Sequence, residues 1–144
     1  MRFVSLGTFA LRNDIVDESL QLDTWIANQL FSLGIHSPFM ALLSIYALTF
    51  VLTELITNSA AAVLTVPIGI ALAEQVGASP MPFVFAIMIA ASSSFLTPIG
   101  YQTNLMVLNA GGYHPIDYTK LGFPLTLIVA IISLLTIPII WPLT

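Results

Sequence analysis

Two short polar stretches interrupt otherwise apolar tracts of the chain. One is Thr53-Glu54-Leu55-Ile56-Thr57-Asn58-Ser59, followed by Ala60-Ala61-Ala62. The other is Thr97-Pro98-Ile99-Gly100-Tyr101-Gln102-Thr103-Asn104. Asn58 and Asn104 each offer an amide oxygen that can ligate a cation and an NH₂ that can donate to an anion. The hydroxyls of Thr57, Ser59 and Thr103 add neutral donors. No lysine or arginine lies near either stretch. An anion bound there would be held by helix N-termini, amides, hydroxyls and a co-bound cation. Glu54 is the one carboxylate inside these apolar segments, apart from Glu74 near the end of one. It reads either as an ion or proton ligand or as a buried acceptor that ties neighbouring backbone together. His36 and His114 stand in connectors without a ligand cluster, and the chain has no cysteine. Metal-centre and thiol chemistry therefore have no candidates.

The elements that must position these groups belong to a membrane protein. Of 144 residues, 58% are hydrophobic and 7% charged, against roughly 25% charged in globular chains. Ten charged side chains cannot cover a soluble fold of this size. The net charge of −4 comes mostly from acids near the start, and the absence of a basic patch excludes nucleic acid as a partner. Residues 3–11 are apolar but shorter than the about 20 residues of a spanning helix. Residues 12–36 carry Ile15, Leu20, Leu22, Trp25, Ile26 and Leu30 at helical spacing among acids. An amphipathic interfacial helix is expected there, with Trp25 at headgroup level, the alternative being an ordinary exposed connector.

Ser37 and Pro38 open the next helix as N-cap and first-turn residue. Its apolar run extends over 39–56, resumes at Ala60 and continues to about Val76. Gly77-Ala78-Ser79-Pro80 is a break, and a further helix is expected over 83–96. Asn109 to Lys120 reads as a loop, and 121–143 is long enough to span. Ala61, Thr65, Gly69 and Ala73 recur every four residues, as do Ala86, Ala90 and Ser94. Such small-residue stripes let helices approach closely in a membrane. The triplet Ser92-Ser93-Ser94 is expected to bond back to carbonyls of the preceding turn. Lys120 hints that the end of the chain just before the last helix faces the cytoplasm.

The Thr57-Asn58-Ser59 break fits two arrangements, a short loop between two full spans or a re-entrant hairpin with its tip near midplane. Hydropathy does not choose between them. The tip lacks charge, glycine and proline, which leans toward the hairpin. At 97–104, proline and glycine fall where the membrane should be. Unwound backbone is tolerated there only where it lines a cavity or is packed by protein. Freed carbonyls at the end of one half-helix can coordinate a cation, and freed N–H groups at the start of the next can bind an anion. Asn58-Ser59 and Thr103-Asn104 would begin such half-helices.

At these breaks the sequence resembles the divalent anion:sodium symporter family of dicarboxylate, citrate and sulfate carriers, in its sulfate-transporter-like bacterial branch. The resemblance covers residues 25–142. It is carried by Thr-Glu-Leu-Ile-Thr-Asn-Ser-Ala-Ala-Ala at 53–62, Ser-Pro-Met-Pro-Phe at 79–83 and Ser-Phe-Leu-Thr-Pro-Ile-Gly-Tyr-Gln-Thr-Asn at 94–104. It implies an all-α integral membrane fold of transmembrane helices with a re-entrant helical hairpin and an unwound, discontinuous helix. It also implies that Thr57, Asn58, Ser59, Tyr101, Thr103 and Asn104 contact substrate. Thr53, Ile56, Asn58 and Gly100 would line a Na⁺ site, mostly through backbone carbonyls. The tip reads Thr-Asn-Ser where the family carries Ser-Asn-Thr, which keeps a hydroxyl at each end. The second loop departs from the Thr-Pro-Pro-Asn of dicarboxylate carriers, so sulfate or another small oxyanion is at least as strong a candidate as a dicarboxylate.

Only the second of the family's two inverted repeats is matched. The expected organisation is a partial helix and interfacial connector over 1–36 and a transport half-domain over 37–144. The latter holds a hairpin at 38–76, a broken helix at 80–110 and a final transmembrane helix at 119–143. The expected function is that of a fragment or half of a secondary transporter, not an enzyme, taking up sulfate or a di- or tricarboxylate with Na⁺ by alternating access. The alternative is a non-transporting membrane remnant or assembly partner. No cofactor is expected beyond Na⁺ as coupling ion. Expected partners are the lipid bilayer, a small anion, Na⁺, a first-repeat half or a full-length homologue, and a second copy of the chain, in a bacterial inner membrane crossed several times.

Overall fold

The computed structural model describes residues 24–29, 32, 34 and 37–143. The partial helix expected at 3–11 and most of the interfacial segment at 12–36 lie outside these residues. Residues 24–29 are helical, with Trp25 exposed. All regular structure among the described residues is helical, and no strand occurs among them.

Helix α1 spans Pro38–Leu55. Ser37 caps it by accepting from Met40 N at 3.3 Å, and Pro38 opens the first turn. Two non-helical residues, Ile56 and Thr57, separate it from α2, Asn58–Gln75. Thr57 caps α2 by accepting from Ala60 N. That helix ends in a Schellman turn: Ala78 N donates to Ala73 O at 2.9 Å and Gly77 N to Glu74 O at 3.2 Å. Gly77 has φ +67, a left-handed position that glycine takes without a Cβ penalty. Helices α3, Pro80–Ala91, and α4, Gln102–Ala110, flank the non-helical stretch 92–101. Helix α5 spans Pro115–Ile140.

Three boundaries differ from the sequence expectation. Helix α3 ends at Ala91 rather than near Leu96. Ser92 and Ser93 turn their hydroxyls back onto Met88 O and Ile89 O, at 2.9 and 2.6 Å, and compete with the helical amide ladder. Pro98 then bars an early restart. The expected loop at 109–120 shrinks to the turn at Gly111–His114, because α5 begins at Pro115. Proline suits that first helical position. Asp117 closes it by accepting from His114 N at 3.0 Å while its own N–H donates to His114 O at 2.9 Å. Thr103 and Asn104 lie within the first turn of α4, one residue past its start at Gln102.

Helices α1, α2 and α3 pack together, and α5 leans on α3. The shared core holds Leu42, Ile45, Leu72, Phe83 and Ile87, all fully buried. The small stripe of α2 faces inward, with Ala61, Thr65, Gly69 and Ala73 all buried. A Cβ on Gly69 would come 2.6 Å from Ile87 Cδ1 and 3.5 Å from Ile45 Cγ1. The glycine therefore lets α2 pack closely on α1 and α3 at this point. Buried Thr49 and Thr65 satisfy their hydroxyls on the carbonyls of Ile45 and Ala61, four residues back. Helices α1 and α5 are long and apolar enough to cross a membrane. At about 1.5 Å per residue, 18 residues cover roughly 27 Å and 26 cover roughly 39 Å.

Candidate functional site

The last turn of α1 holds Thr53 and Glu54, both buried. The Glu54 carboxylate reaches across to the stretch 92–101. Its Oε1 accepts from Leu96 N at 3.1 Å and its Oε2 from Thr97 N at 2.8 Å. Thr97 Oγ1 donates in turn to Glu54 O at 3.1 Å. Of the two readings of Glu54, the structure supports the backbone tie: both oxygens are committed to amides that no helix satisfies. A carboxylate accepting amide hydrogens forms charge-assisted bonds, stronger than those between neutral groups.

Thr53 joins three elements. Its Oγ1 lies 2.9 Å from Asn58 Oδ1, at the start of α2, and 2.7 Å from Ala91 O, at the end of α3. One hydroxyl hydrogen serves one of these acceptors at a time. The Thr53 carbonyl faces Gly100: a Cβ on Gly100 would lie 2.5 Å from Thr53 O and would collide with Ser94 Oγ. Gly100 is buried, and only a residue without a side chain lets the loop backbone come this near to α1.

Of the four residues expected at a cation site, the structure brings Thr53, Asn58 and Gly100 together. Ile56 sits between the first two as the C-cap of α1, with extended φ −127 and ψ 178. The expected substrate residues are more dispersed. Thr57 and Ser59 are exposed beside Asn58, and Tyr101 and Thr103 are exposed on the loop and first turn of α4. Among the described residues no hydrogen bond joins Thr57 or Ser59 to Tyr101, Thr103 or Asn104. Asn104 is held differently, its carbonyl accepting from Tyr118 OH on α5 at 3.1 Å. It also lines an open groove of about 680 Å³ with Phe95, Tyr113, Asp117, Tyr118 and Lys120 among others.

The sequence did not single out Ala91, Leu96, Tyr118 or Ser94 for this site. The first two and Tyr118 act through backbone groups or distant contacts, for which no residue-type signal exists. Ser94 had a signal, as a hydroxyl four residues ahead of Pro98, and the packing explanation that holds for Ser92 and Ser93 does not extend to it. The oxygens gathered here are carbonyl, amide and hydroxyl, all neutral. Such a set suits a monovalent cation rather than a divalent one, which draws carboxylate ligands.

Residues 18–143 match the model of a family described as "Citrate transporter". Over 118 residues the chain is 42% identical to an uncharacterized transporter of Synechocystis sp., covering 81% of this chain and 19% of that protein. Over 109 residues it is 38% identical to sodium/sulfate cotransporter 2 of Chlamydomonas reinhardtii, covering 74% of this chain and 12% of that protein. Over 136 residues it is 30% identical to a sodium-dependent dicarboxylate transporter of Staphylococcus aureus, covering 94% of this chain and 26% of that protein. The chain thus spans between about an eighth and about a quarter of the length of these relatives.

Proposed function

The chain belongs to the citrate transporter family, a family of membrane carriers and not of enzymes, and we propose that this segment forms one half of a sodium-coupled anion site. In this reading α1 and α2 make a re-entrant hairpin whose tip is Ile56-Thr57-Asn58-Ser59. Helices α3 and α4 are the halves of one discontinuous helix, unwound over 92–101. Helix α5 is the final span. The transport half-domain then runs over 37–144, preceded by an interfacial connector.

Thr53, Ile56, Asn58 and Gly100 hold Na⁺. Thr57, Asn58, Ser59, Tyr101, Thr103 and Asn104 face a small divalent anion. What carries this reading is the approach of the Thr53 carbonyl to Gly100, in the same cluster where Thr53 meets Asn58. The carbonyl lies at the C-terminal end of a helix and the asparagine at the N-terminal start of the next. Carriers with broken helices bind cations at the first kind of end and anions at the second. Bound Na⁺ adds attraction for an anion that no lysine or arginine near the breaks supplies. It also ties α1 to the loop, so binding orders the tip before the anion arrives.

The relatives named for sulfate and for dicarboxylate, and the family described for citrate, support sulfate or a di- or tricarboxylate as the substrate class. The other half of the site comes from an inverted first repeat, the assembly working by alternating access as a homodimer in the inner membrane of a bacterium. The test is uptake by a full-length carrier bearing this segment, reconstituted in liposomes. Asn58→Ala and Asn104→Ala should each abolish Na⁺-dependent uptake of sulfate, succinate or citrate while expression is kept. Normal uptake by both variants would overturn the assignment.

A further inference from the structure

One buried side chain at this cluster has no structural employment. Ser94 is 2% exposed, and its Oγ has no hydrogen-bond partner. Ser92 and Ser93, just before it, satisfy their hydroxyls on Met88 O and Ile89 O. Ser94 lies past the end of α3 and makes no such bond. A buried hydroxyl left unpaired carries its desolvation cost with nothing to offset it.

The direction in which this hydroxyl points gives it a use. A Cβ built on Gly100 would meet Ser94 Oγ and Thr53 O together. The two oxygens thus converge on the bare side of one glycine, and they do not hydrogen-bond to each other. Nor does an amide from the chain after α1 return to Thr53 O. Ile56 N donates to Leu52 O, and the next amides to bond back, those of Ala60 and Ala61, reach Thr57 Oγ1 and Thr57 O. The neighbouring carboxylate is also accounted for, since Glu54 is held by Leu96 N and Thr97 N. What remains is one free hydroxyl and one free carbonyl oxygen, both neutral, facing a common point.

We propose that Ser94 Oγ is a ligand of the cation site, completing with Thr53 O a neutral oxygen set for a monovalent cation. This rests on the cation reading given above and adds to it a residue from the unwound stretch. A hydroxyl has two lone pairs for the ion and turns its hydrogen away. The ion supplies the partner that the protein does not. Ser94 is thereby a specificity-determining residue. A hard alkali cation takes oxygen donors, and replacing that oxygen by carbon or by soft sulfur weakens the site.

The test is thermal unfolding of the full-length protein in detergent, titrated with NaCl against choline chloride at constant ionic strength. The variants are Ser94→Ala, Ser94→Cys and Asn58→Ala. Wild type should gain stability with Na⁺. Ser94→Ala and Ser94→Cys should raise the Na⁺ concentration at half-effect by roughly tenfold or more, the scale on which metal sites respond to loss of a supporting group. In choline, Ser94→Ala should melt at or above wild type, since the hydroxyl it removes bonds to nothing in the protein. Ser94→Cys keeps a polar side-chain atom at the position, with a somewhat larger sulfur in place of oxygen, and carries the test if the alanine variant does not fold. If both Ser94 variants keep the wild-type Na⁺ response while Asn58→Ala loses it, the proposal falls and the cation site stands. If Ser94→Ala is destabilised equally in both salts with its Na⁺ response unchanged, the serine is structural and the proposal falls. If wild type shows no preference for Na⁺ over choline, the cation reading fails and the role of Ser94 fails with it.

Discussion

Glu54 shows how a single residue type can advertise importance without disclosing its role. A carboxylate in an apolar tract is costly and demands partners. The sequence made it conspicuous but did not say whether those partners were ions or amides. Its partners are 42 and 43 residues further along the chain, and no local pattern encodes a contact of that range. The amides of Leu96 and Thr97 need an acceptor because the chain around them is non-helical. Glu54→Ala leaves both without one, at about 1–3 kcal/mol per stranded group. Glu54→Gln keeps one acceptor oxygen but turns an NH₂ toward an amide that is itself a donor. Melting in Na⁺-free detergent solution should therefore fall in the order wild type, Glu54→Gln, Glu54→Ala. If Glu54→Gln melts with wild type, the charge of the tie is dispensable.

At the scale of elements, boundaries were legible where side chains act locally. Ser37-Pro38 and Gly77–Pro80 mark helix ends through capping and left-handed backbone, and the structure puts the ends there. The end of α3 was missed by several residues because apolarity continues through Phe95 and Leu96 while the hydroxyls of Ser92 and Ser93 have already turned the backbone out of the helix. The start of α5 was missed because Asp117 and Lys120 read as loop, although Asp117 closes the first turn. The four-residue stripe of α2 was legible because close packing needs small residues at that spacing. Gly69 gives it a quantitative test. The atom a new Cβ would meet is the tip of Ile87, a side chain that can rotate aside. Gly69→Ala should be tolerated. Gly69→Leu adds three further carbons to a contact with no room for them, and overpacking of that kind costs about 1–3 kcal/mol. A melting temperature for Gly69→Leu equal to that of Gly69→Ala would show that α2 and α3 are not held at this point.

The whole molecule is unbalanced between its two sides. Helices α1, α2 and α3 bury their shared face, whereas α5 presents Leu121 and Ile139, each 79% exposed, and a run of isoleucine and leucine between them. Water-soluble monomers rarely expose apolar patches beyond a few hundred Å². A helix of this length and apolarity, touching the rest of the fold mainly through α3, fits a lipid face or a further protein face inside a bilayer. Among membrane helices, contact is chosen by packing rather than by escape from water, so an apolar surface left uncovered is no defect there. Ile128 separates the two environments. It lies near the middle of α5 and is 54% exposed. In a bilayer, Ile128→Lys places a charge close to the centre of a spanning helix, at about 2.5–3.5 kcal/mol of insertion free energy, while Ile128→Leu costs almost nothing. On the surface of a water-soluble fold the lysine would be neutral and would favour solubility. Insertion measured with glycosylation acceptor sites placed on either side of α5 should drop sharply for Ile128→Lys alone. Full insertion of the lysine variant would mean that α5 is shielded by protein at Ile128, and that the lipid face of the molecule lies elsewhere.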